Sequence, residues 1–197
     1  AMTLQDRIDA YAARYRKWPG SWPYVQGGPG RETIYAHWLI GNDYRNKTAF
    51  YGAYPRGYLD RVAALFPDIA EPDTLHVFSG SLPRGRYVRC DSVQPAELQC
   101  NVYDLPGRAG GFRLLMADPP YSADDAKKYG VAMVDRRRAI AALAEVALPG
   151  AFLVWLDTYW PMHRKTQWRT VGMITVVRST NHRVRLATIF ERTGKEA

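Results

Sequence analysis

The chain has few of the features that mark secreted, membrane or metal-binding proteins. Only two of its 197 residues are cysteines, Cys90 and Cys100, and they lack the CxxC spacing and the nearby histidine of a zinc site. The sequence contains no secretory signal, no apolar run of membrane-spanning length and no lipidation motif. Internal repeats and low-complexity stretches are missing as well. These absences predict a soluble, cytoplasmic protein with no metal centre and no membrane partner.

Charge and size narrow the range of functions further. The chain carries 27 Lys and Arg against 19 Asp and Glu, a formal charge of +8, and 13% of its residues are aromatic. An excess of cations favours a polyanionic partner, because binding releases the counterions of a nucleic acid. A hydrophobic content of 47% over 197 residues supports one compact core and is short for two. We expect one main domain at 72–197 and an amino-terminal extension at 1–71 that packs on it.

The extension is predicted to contain two helices and a loop. Thr3 and Asp6 have the spacing of a capping box, and apolar residues follow at helical intervals as far as Tyr15. The density of Gly and Pro at 21–30 argues against regular structure, and the irregular segment 31–55 is predicted to be loop with short ordered pieces. Residues 57–66 place apolar side chains on one helical face and predict the second helix.

The segment after residue 72 alternates short apolar runs with turns and one strong helix. That helix starts after Asp135, a capping residue, and the basic run 136–138 indicates its solvated first turn. The alternation is typical of βαβ units and predicts a mostly parallel sheet. The runs that predict its buried strands are TLHVF at 74–78, YVRC at 87–90, FRLLMA at 112–117 and AFLVWL at 151–156.

The last part of the chain has a different pattern. Two apolar runs, 172–178 and 184–190, flank a short polar stretch and predict an antiparallel hairpin that closes an edge of the sheet. Arg178, Arg183 and Arg185 would then be the charged surface of an edge hairpin.

The strongest chemical motif is Asp118-Pro119-Pro120-Tyr121, which directly follows the predicted strand 112–117. Ligands of open α/β sheets bind at the carboxyl ends of strands, so position and motif agree. A carboxylate and a fixed backbone carbonyl can accept hydrogen bonds from an exocyclic amine and leave its lone pair free to attack a methyl group. Tyr121 offers a flat face on which a base can stack. The alternative is a simple Asp-Pro-Pro turn with a packed tyrosine.

A second motif is the small-residue turn Phe78-Ser79-Gly80-Ser81 at the end of the strand 74–78. Such a turn lets the backbone approach a ligand closely, although the GxGxxG fingerprint of dinucleotide-binding proteins is absent. Asp91 ends the next predicted strand, where an acid can bind the two hydroxyls of a ribose. It can equally be an ordinary loop carboxylate or a helix cap.

With these residues the chain resembles the amino-methyltransferases of nucleic acids, the family of adenine and cytosine DNA methyltransferases that carry a DPPY-type motif. The resemblance covers about 72–192, and only the tetrapeptide is highly specific. It implies a Rossmann-like class I methyltransferase sheet and S-adenosyl-L-methionine as cofactor. Asp118 to Tyr121 resemble the catalytic motif, Phe78 to Ser81 the cofactor loop, and Asp91 the ribose-binding acid.

Two further segments resemble the family less closely. The segment Asn101 to Asp104 is similar to the family's contact with the cofactor adenine, and either Asn101 or Asp104 would make that contact. The stretch 46–55, with Tyr54 near its end, is similar to an additional cofactor-contacting element. The Phe78–Ser81 turn departs from the family in lacking its usual second glycine.

The segment 158–170 is the candidate for substrate contact. It follows a strand end and interleaves Tyr159 and Trp160 with cations that include Lys165. Aromatic and basic side chains together suit a flipped or single-stranded base and its phosphates. The alternative is a solvated connection with aromatic side chains packed beneath it.

Motif and charge together predict a methyltransferase that acts on an exocyclic amine of a nucleic-acid base. The resemblance favours DNA before RNA and adenine N6 before cytosine, because the tetrapeptide begins with Asp. The alternatives are an RNA base methyltransferase acting on guanine N2 or adenine N6, and an inactive nucleic-acid-binding module of the same fold. The extension contains no independent reading head. Target recognition is therefore relaxed, or comes from a homodimer or a partner protein.

Overall fold

A computed structural model of the chain describes residues 1–15, 24–28, 30–41, 54–178 and 183–194. Its central feature is a nine-stranded sheet in the order β1-β2-β8-β9-β7-β6-β3-β4-β5. The strands are β1 (Tyr24–Gln26), β2 (Thr33–Ile40), β3 (Thr74–Val77), β4 (Val88–Asp91), β5 (Leu98–Gln99), β6 (Phe112–Ala117), β7 (Ala147–Asp157), β8 (Trp168–Arg178) and β9 (Val184–Arg192).

Most of the sheet is parallel. The pairs β2–β8, β3–β4, β3–β6, β4–β5 and β6–β7 are parallel, while β9 runs antiparallel to β7 and β8, and β1 antiparallel to β2. The four buried strands predicted from the main domain are β3, β4, β6 and β7. The expected α/β class with a mostly parallel sheet is therefore confirmed.

Helices cover the two faces of the sheet. Apolar residues of α1 and α2 share one buried cluster with the sheet, and those of α4 share a second cluster with the opposite face. No helix in the described ranges is both long and apolar enough to cross a membrane. The helices are α1 (Leu4–Tyr15), α2 (Tyr58–Leu65), α3 (Ala123–Lys128) and α4 (Arg136–Val146).

The starts of two predicted helices are confirmed at the level of single hydrogen bonds. The backbone N–H of Thr3 donates to the carboxylate of Asp6 at 2.7 Å, and the N–H of Asp6 donates to Thr3 Oγ1 at 3.1 Å, which is a reciprocal capping box. Asp135 caps α4 by accepting the N–H of Arg138 at 3.0 Å. Helix α4 ends earlier than its sequence suggests, because β7 begins at Ala147 and takes in the predicted stop at 149–150.

The loop predicted for 21–55 is wrong in two places. Residues 24–26 form β1 and residues 33–40 form β2, which extends the sheet beyond β8. Ile34, Trp38 and Ile40 are buried at alternate positions, whereas His37 and Leu39 are exposed. This period of two is the strand signal, and the interleaved aromatic and polar residues obscured it. Residues 46–53 of the additional cofactor-contacting element lie outside the described residues.

The predicted terminal hairpin is present, but its expected position at an edge of the sheet is wrong. Strand β9 lies between β7 and β8, and β2 continues the sheet on the far side of β8. Both edges of β9 are therefore hydrogen-bonded, and most of its side chains between Arg185 and Phe190 are buried, whereas Val184 at its start is exposed. Residues 179–182, which connect β8 to β9, lie outside the described residues.

Arg7 ties helix α1 to the rest of the core. Its guanidinium donates to the Asp68 carboxylate at 2.6 and 3.2 Å and to the Leu65 carbonyl at 3.2 Å. The guanidinium carbon also lies 4.8 Å and 4.6 Å from the ring centroids of Phe66 and Phe152. Burial opposes ionisation of Asp68, but the hydrogen bond and charge of Arg7 hold its pKa below the ordinary value.

We therefore expect Asp68→Asn to lower the free energy of unfolding by about 3 kcal/mol, because it leaves the Arg7 charge buried without a counter-charge. Urea unfolding at neutral pH measures this loss. Because the pKa of Asp68 is lowered in the folded state, the gap to wild type should close as the pH falls below 3.8. Asp73→Asn is the control, since its 3.9 Å pair with Arg113 is about half exposed; equal losses in both variants would contradict the role of Arg7.

Candidate active site at the carboxyl edge of the sheet

The order of the strands changes direction between β3 and β6. From β3 the chain continues to β4 and β5 on one side, whereas β6 and β7 lie on the other. Ligands of open α/β sheets bind outside the carboxyl ends of the strands at such a switch point. Strand β3 leads into the Phe78–Ser81 turn and β6 leads into Asp118–Tyr121. The fold therefore places the two predicted motifs on either side of the switch point.

The Asp118 carboxyl is withdrawn from water. The Tyr121 hydroxyl donates a hydrogen bond to Asp118 Oδ1, and the two intervening prolines, Pro119 and Pro120, are buried. Burial raises the pKa of Asp118 to about 6, although the Tyr121 hydroxyl and the guanidinium of Arg185 pull it downwards. At neutral pH the group is thus a carboxylate in a poorly solvated position, where its hydrogen bonds are strong.

Aromatic side chains from the extension approach the same carboxyl. Tyr58 is fully buried, and its hydroxyl has no hydrogen-bond partner among the described residues. The Tyr54 ring stacks on Tyr58 with centroids 5.7 Å apart, and its hydroxyl lies 3.4 Å from Nδ1 of His76. Burial, together with the charge of Asp118, raises the pKa of both tyrosines. Burial lowers the pKa of His76 to about 4, so its imidazole is neutral at physiological pH.

The Phe78–Ser81 turn has an unusual backbone and is fastened by Asp91. Phe78 and Gly80 have φ angles of 57° and 51°, and the left-handed region is unfavourable for a bulky residue such as Phe. The Gly80 N–H donates to Asp91 Oδ2 at 2.8 Å. Asp91 Oδ1 accepts the N–H groups of Val93 and Gln94 at 2.9 and 2.8 Å. Asp91 therefore joins the turn after β3 to the loop after β4.

The two serines of the turn differ in their surroundings. Ser79 is buried and its Oγ has no hydrogen-bond partner in the part of the chain that the structure describes, whereas Ser81 is exposed. The segment 78–87 is described throughout and forms no helix, so the turn cannot use the aligned amides of a helix start to hold an anion. Polar contacts to a ligand would come from the turn backbone, Ser79 and Asp91.

Asn101 and Asp104 lie on the surface beyond the end of β5. The side chain of Asn101 accepts the Tyr103 N–H at 3.2 Å and caps the short 3-10 helix Val102–Asp104. The Tyr103 hydroxyl in turn accepts the N–H of Asp135 at 2.8 Å, which fixes this segment against the start of α4. Both candidate adenine contacts are exposed, and the choice between them stays open.

A buried ion pair supports the Asp118–Tyr121 motif, and of its two residues Asp157 was not singled out from the sequence. Arg136 donates to the fully buried Asp157 at 2.6 and 3.1 Å and to the Tyr121 carbonyl at 3.3 Å. The Trp155 indole also donates to Asp157 at 3.0 Å. The prediction of a solvated first turn is wrong for Arg136, whose side chain is 20% exposed. The missed signal was Asp157 itself, an acid at the end of a buried apolar run.

The structure places the residues of the predicted substrate segment at opposite ends of the sheet. Tyr159 and Trp160 are 60% and 55% exposed next to the end of β7, and Arg136 lies 4.9 Å from the Tyr159 ring centroid. Lys165 belongs to the turn that leads into β8, at the opposite end of the sheet, so it does not join Asp118. Trp168 is fully buried and donates to the Ile140 carbonyl, so it belongs to the core.

Cations from the terminal hairpin contact the Asp118–Tyr121 motif. The guanidinium carbons of Arg183 and Arg185 lie 5.2 and 5.1 Å from the ring centroid of Tyr121. Arg185 is only 8% exposed. The prediction of a charged edge hairpin is therefore wrong for Arg185, because the central position of β9 turns this residue into the interior. Sequence pattern alone does not reveal which strands flank a hairpin.

Within the described ranges, no group of three or more His, Cys, Asp or Glu side chains is arranged to hold a metal ion. No known protein-family model matches the chain, and no curated protein matches it. Any functional assignment therefore depends on the chemistry of the site itself.

The raised pKa of Asp118 predicts a pH-dependent stability difference. A folded pKa of about 6 against an ordinary 3.8 means that ionisation opposes folding at neutral pH. Asp118→Asn should therefore gain stability relative to wild type as the pH rises from 4 to 8, by up to ~3 kcal/mol. Urea unfolding at several pH values measures the gain. The exposed Asp124→Asn serves as control, and a gap that does not change with pH would refute the prediction.

Proposed function

We propose that the chain is an S-adenosyl-L-methionine-dependent methyltransferase that acts on an exocyclic amino group of a nucleic-acid base, with DNA adenine N6 as the first candidate. The observation that carries the proposal is the buried Asp118 carboxyl at the end of β6, held beside the strand-order switch point and followed by two buried prolines. Helices on both faces and the reversal of strand order support a Rossmann-like sheet of the class I methyltransferase kind.

Asp118 would position and activate the target amine. Its Oδ1 accepts the Tyr121 hydroxyl, so the amine would donate to Oδ2 and to the Pro119 carbonyl. With both hydrogens of the amine held by these two acceptors, its lone pair would be free to attack the activated methyl group that the cofactor would supply, with the thioether as leaving group. With a pKa of about 6, Asp118 is also a suitable acceptor for the proton that the amine releases. The Arg136 contact to the Tyr121 carbonyl holds the motif in place.

The residues at the ends of β3 and β4 fit the proposed cofactor. S-adenosyl-L-methionine supplies an activated methyl group on a sulfonium when it is bound. The buried Ser79 Oγ lacks a partner, and the left-handed turn brings backbone close to the ligand position. The Asp91 carboxylate already accepts three N–H groups, which leaves one of its about four acceptor positions for a ribose hydroxyl.

The substrate assignment depends on charge and on exposed aromatic side chains. The chain carries a formal charge of +8, which suits a polyanion. Tyr159 and Trp160 project into solvent beside the ion pair of Arg136 and Asp157 and provide stacking surfaces for an unpaired base. Target recognition beyond a few bases would come from a homodimer or a partner protein.

Asp118→Ala should reduce methyl transfer by about a hundredfold or more, because it removes the acceptor of the target amine. Cofactor affinity, measured by calorimetry, should stay within a few-fold of wild type. The assay is mass spectrometry of nucleosides from DNA and RNA incubated with the protein and labelled cofactor. The exposed Asp124→Ala is the control and should keep full activity.

The same assay separates the alternatives. Methylated adenine in DNA supports the first candidate, and methylated guanine or adenine in RNA alone assigns the RNA function. Cofactor binding without transfer to either polymer assigns an inactive module. Substantial transfer by Asp118→Ala would remove the basis of the proposal.

Asp91→Asn is expected to weaken cofactor binding tenfold or more. The amide oxygen of Asn can still accept the N–H groups of Val93 and Gln94, but its NH₂ group cannot accept from Gly80. The turn after β3 would therefore lose its attachment while the loop after β4 keeps its own. Calorimetric titration with S-adenosyl-L-methionine measures the effect, and an unchanged dissociation constant would show that the cofactor does not depend on Asp91.

A further inference from the structure

Arg178 and Arg185 form a cationic pair on one face of the sheet, where Arg185 is buried and Arg178 is half-buried. Arg185 lies opposite Val176 in the β8–β9 register, and Arg178 follows Val176 by two positions on β8. Side chains at these positions leave the same face of the sheet, because alternate residues of a strand share a face. The next pair on that face, towards the amino end of β8, is Ile174 and Ala187, and both residues are buried. The two arginines therefore lie at the end of a row of apolar side chains.

Among the described residues, neither guanidinium forms an ion pair, and neither Nε, although buried, has a hydrogen-bond partner. Arg185 is more than nine-tenths buried. Burial and the neighbouring charge of Arg185 lower the pKa of Arg178. A buried, unpaired charge destabilises a protein unless something binds it, so this pair calls for an anion.

The nearby carboxylates do not supply enough negative charge. Asp157 is engaged by Arg136, and Asp125 lies 3.9 Å from Arg183. Asp118 is the remaining acid that acts on the pair, and it forms no ion pair within 4 Å with either arginine in the described structure. Two guanidinium charges against one carboxylate leave an excess of one positive charge beside the catalytic motif.

One explanation is that the arginines exist only to keep Asp118 ionised. A single guanidinium in contact with the carboxylate would do this better than two at a distance, and the pKa of Asp118 is nevertheless raised to about 6. The Arg185 guanidinium instead lies 5.1 Å from the centre of the Tyr121 ring, on which a target base would stack. The pair is therefore placed for a ligand group attached to that base.

We propose that Arg178 and Arg185 bind a backbone phosphodiester of the nucleic-acid strand that carries the target base. The proposal rests on the proposed function for the nature of the strand. A phosphodiester carries one negative charge, which equals the excess at the site. Its two free oxygens match the planar, forked donors of a guanidinium. Binding it would neutralise the pair and hold the base next to Asp118.

The test measures binding alone and does not depend on turnover. Fluorescence anisotropy with a labelled single-stranded oligonucleotide, at several salt concentrations, compares wild type with Arg185→Gln and Arg178→Gln. Each variant should bind about tenfold more weakly and lose roughly one unit from the slope of log affinity against log salt. The matched control is Arg113→Gln, which removes one charge at the amino end of β6, at the opposite end of the sheet, and should leave both quantities unchanged.

Separate control experiments test whether the variants fold and which part of the oligonucleotide the arginines bind. Thermal unfolding should show no loss of stability in Arg185→Gln, because the change relieves a buried repulsion, and Arg185→Lys should bind with intermediate affinity. An abasic oligonucleotide should show the same arginine dependence as the intact strand. Equal weakening in Arg113→Gln, or no weakening in either site variant, would overturn the proposal. So would an arginine dependence seen with inorganic phosphate or AMP and not with the oligonucleotide.

The outcome is independent of the catalytic assignment. A protein that transfers no methyl group but shows the arginine-dependent binding keeps the phosphodiester site and loses the proposed function. A protein that methylates DNA without this dependence keeps the proposed function and loses the site.

Discussion

The burial of one carboxyl group, that of Asp118, is the constraint on which the arrangement of this edge of the sheet depends. Strand β6 ends between β3 and β7, and Asp118, which follows it, is half-buried. Two prolines fix the chain after it, and the Tyr121 hydroxyl satisfies one of its oxygens. The carboxyl has a pKa of about 6, so it is mostly charged at neutral pH, and its ionisation there lowers the stability of the fold.

The elements around Asp118 are held by polar contacts to backbone. Arg136 joins the end of β7 to the Tyr121 carbonyl, and Asp91 joins the turn after β3 to the loop after β4. Such contacts fix the positions of loops that have few apolar side chains of their own to bury. The loops can then carry polar and aromatic groups at the sheet edge without a hydrophobic core beneath each of them.

The amino-terminal extension contributes directly to this edge. Strand β2 belongs to the same sheet as the Asp118–Tyr121 motif, and Tyr54, just before α2, and Tyr58, its first residue, approach the Asp118 carboxyl. The extension is also tied to the core through the buried Arg7 guanidinium. Changes in this part of the chain are therefore expected to affect the candidate site as well as stability.

The sequence by itself determined the features that depend on local pattern. These features are the capping box of Thr3 and Asp6, the extent of β6 and the place of Asp118 at its end. Each follows from neighbouring residues, because helix caps and buried strands have short-range signals.

Tertiary structure alone decided which strands became neighbours. Insertion of β9 between β7 and β8 moved Arg185 from a supposed surface to the interior beside Tyr121, and pairing of β2 with β8 made a strand of a segment predicted as loop. Strand order is set by contacts between residues far apart in the chain, so it cannot be predicted from the pattern of neighbouring residues.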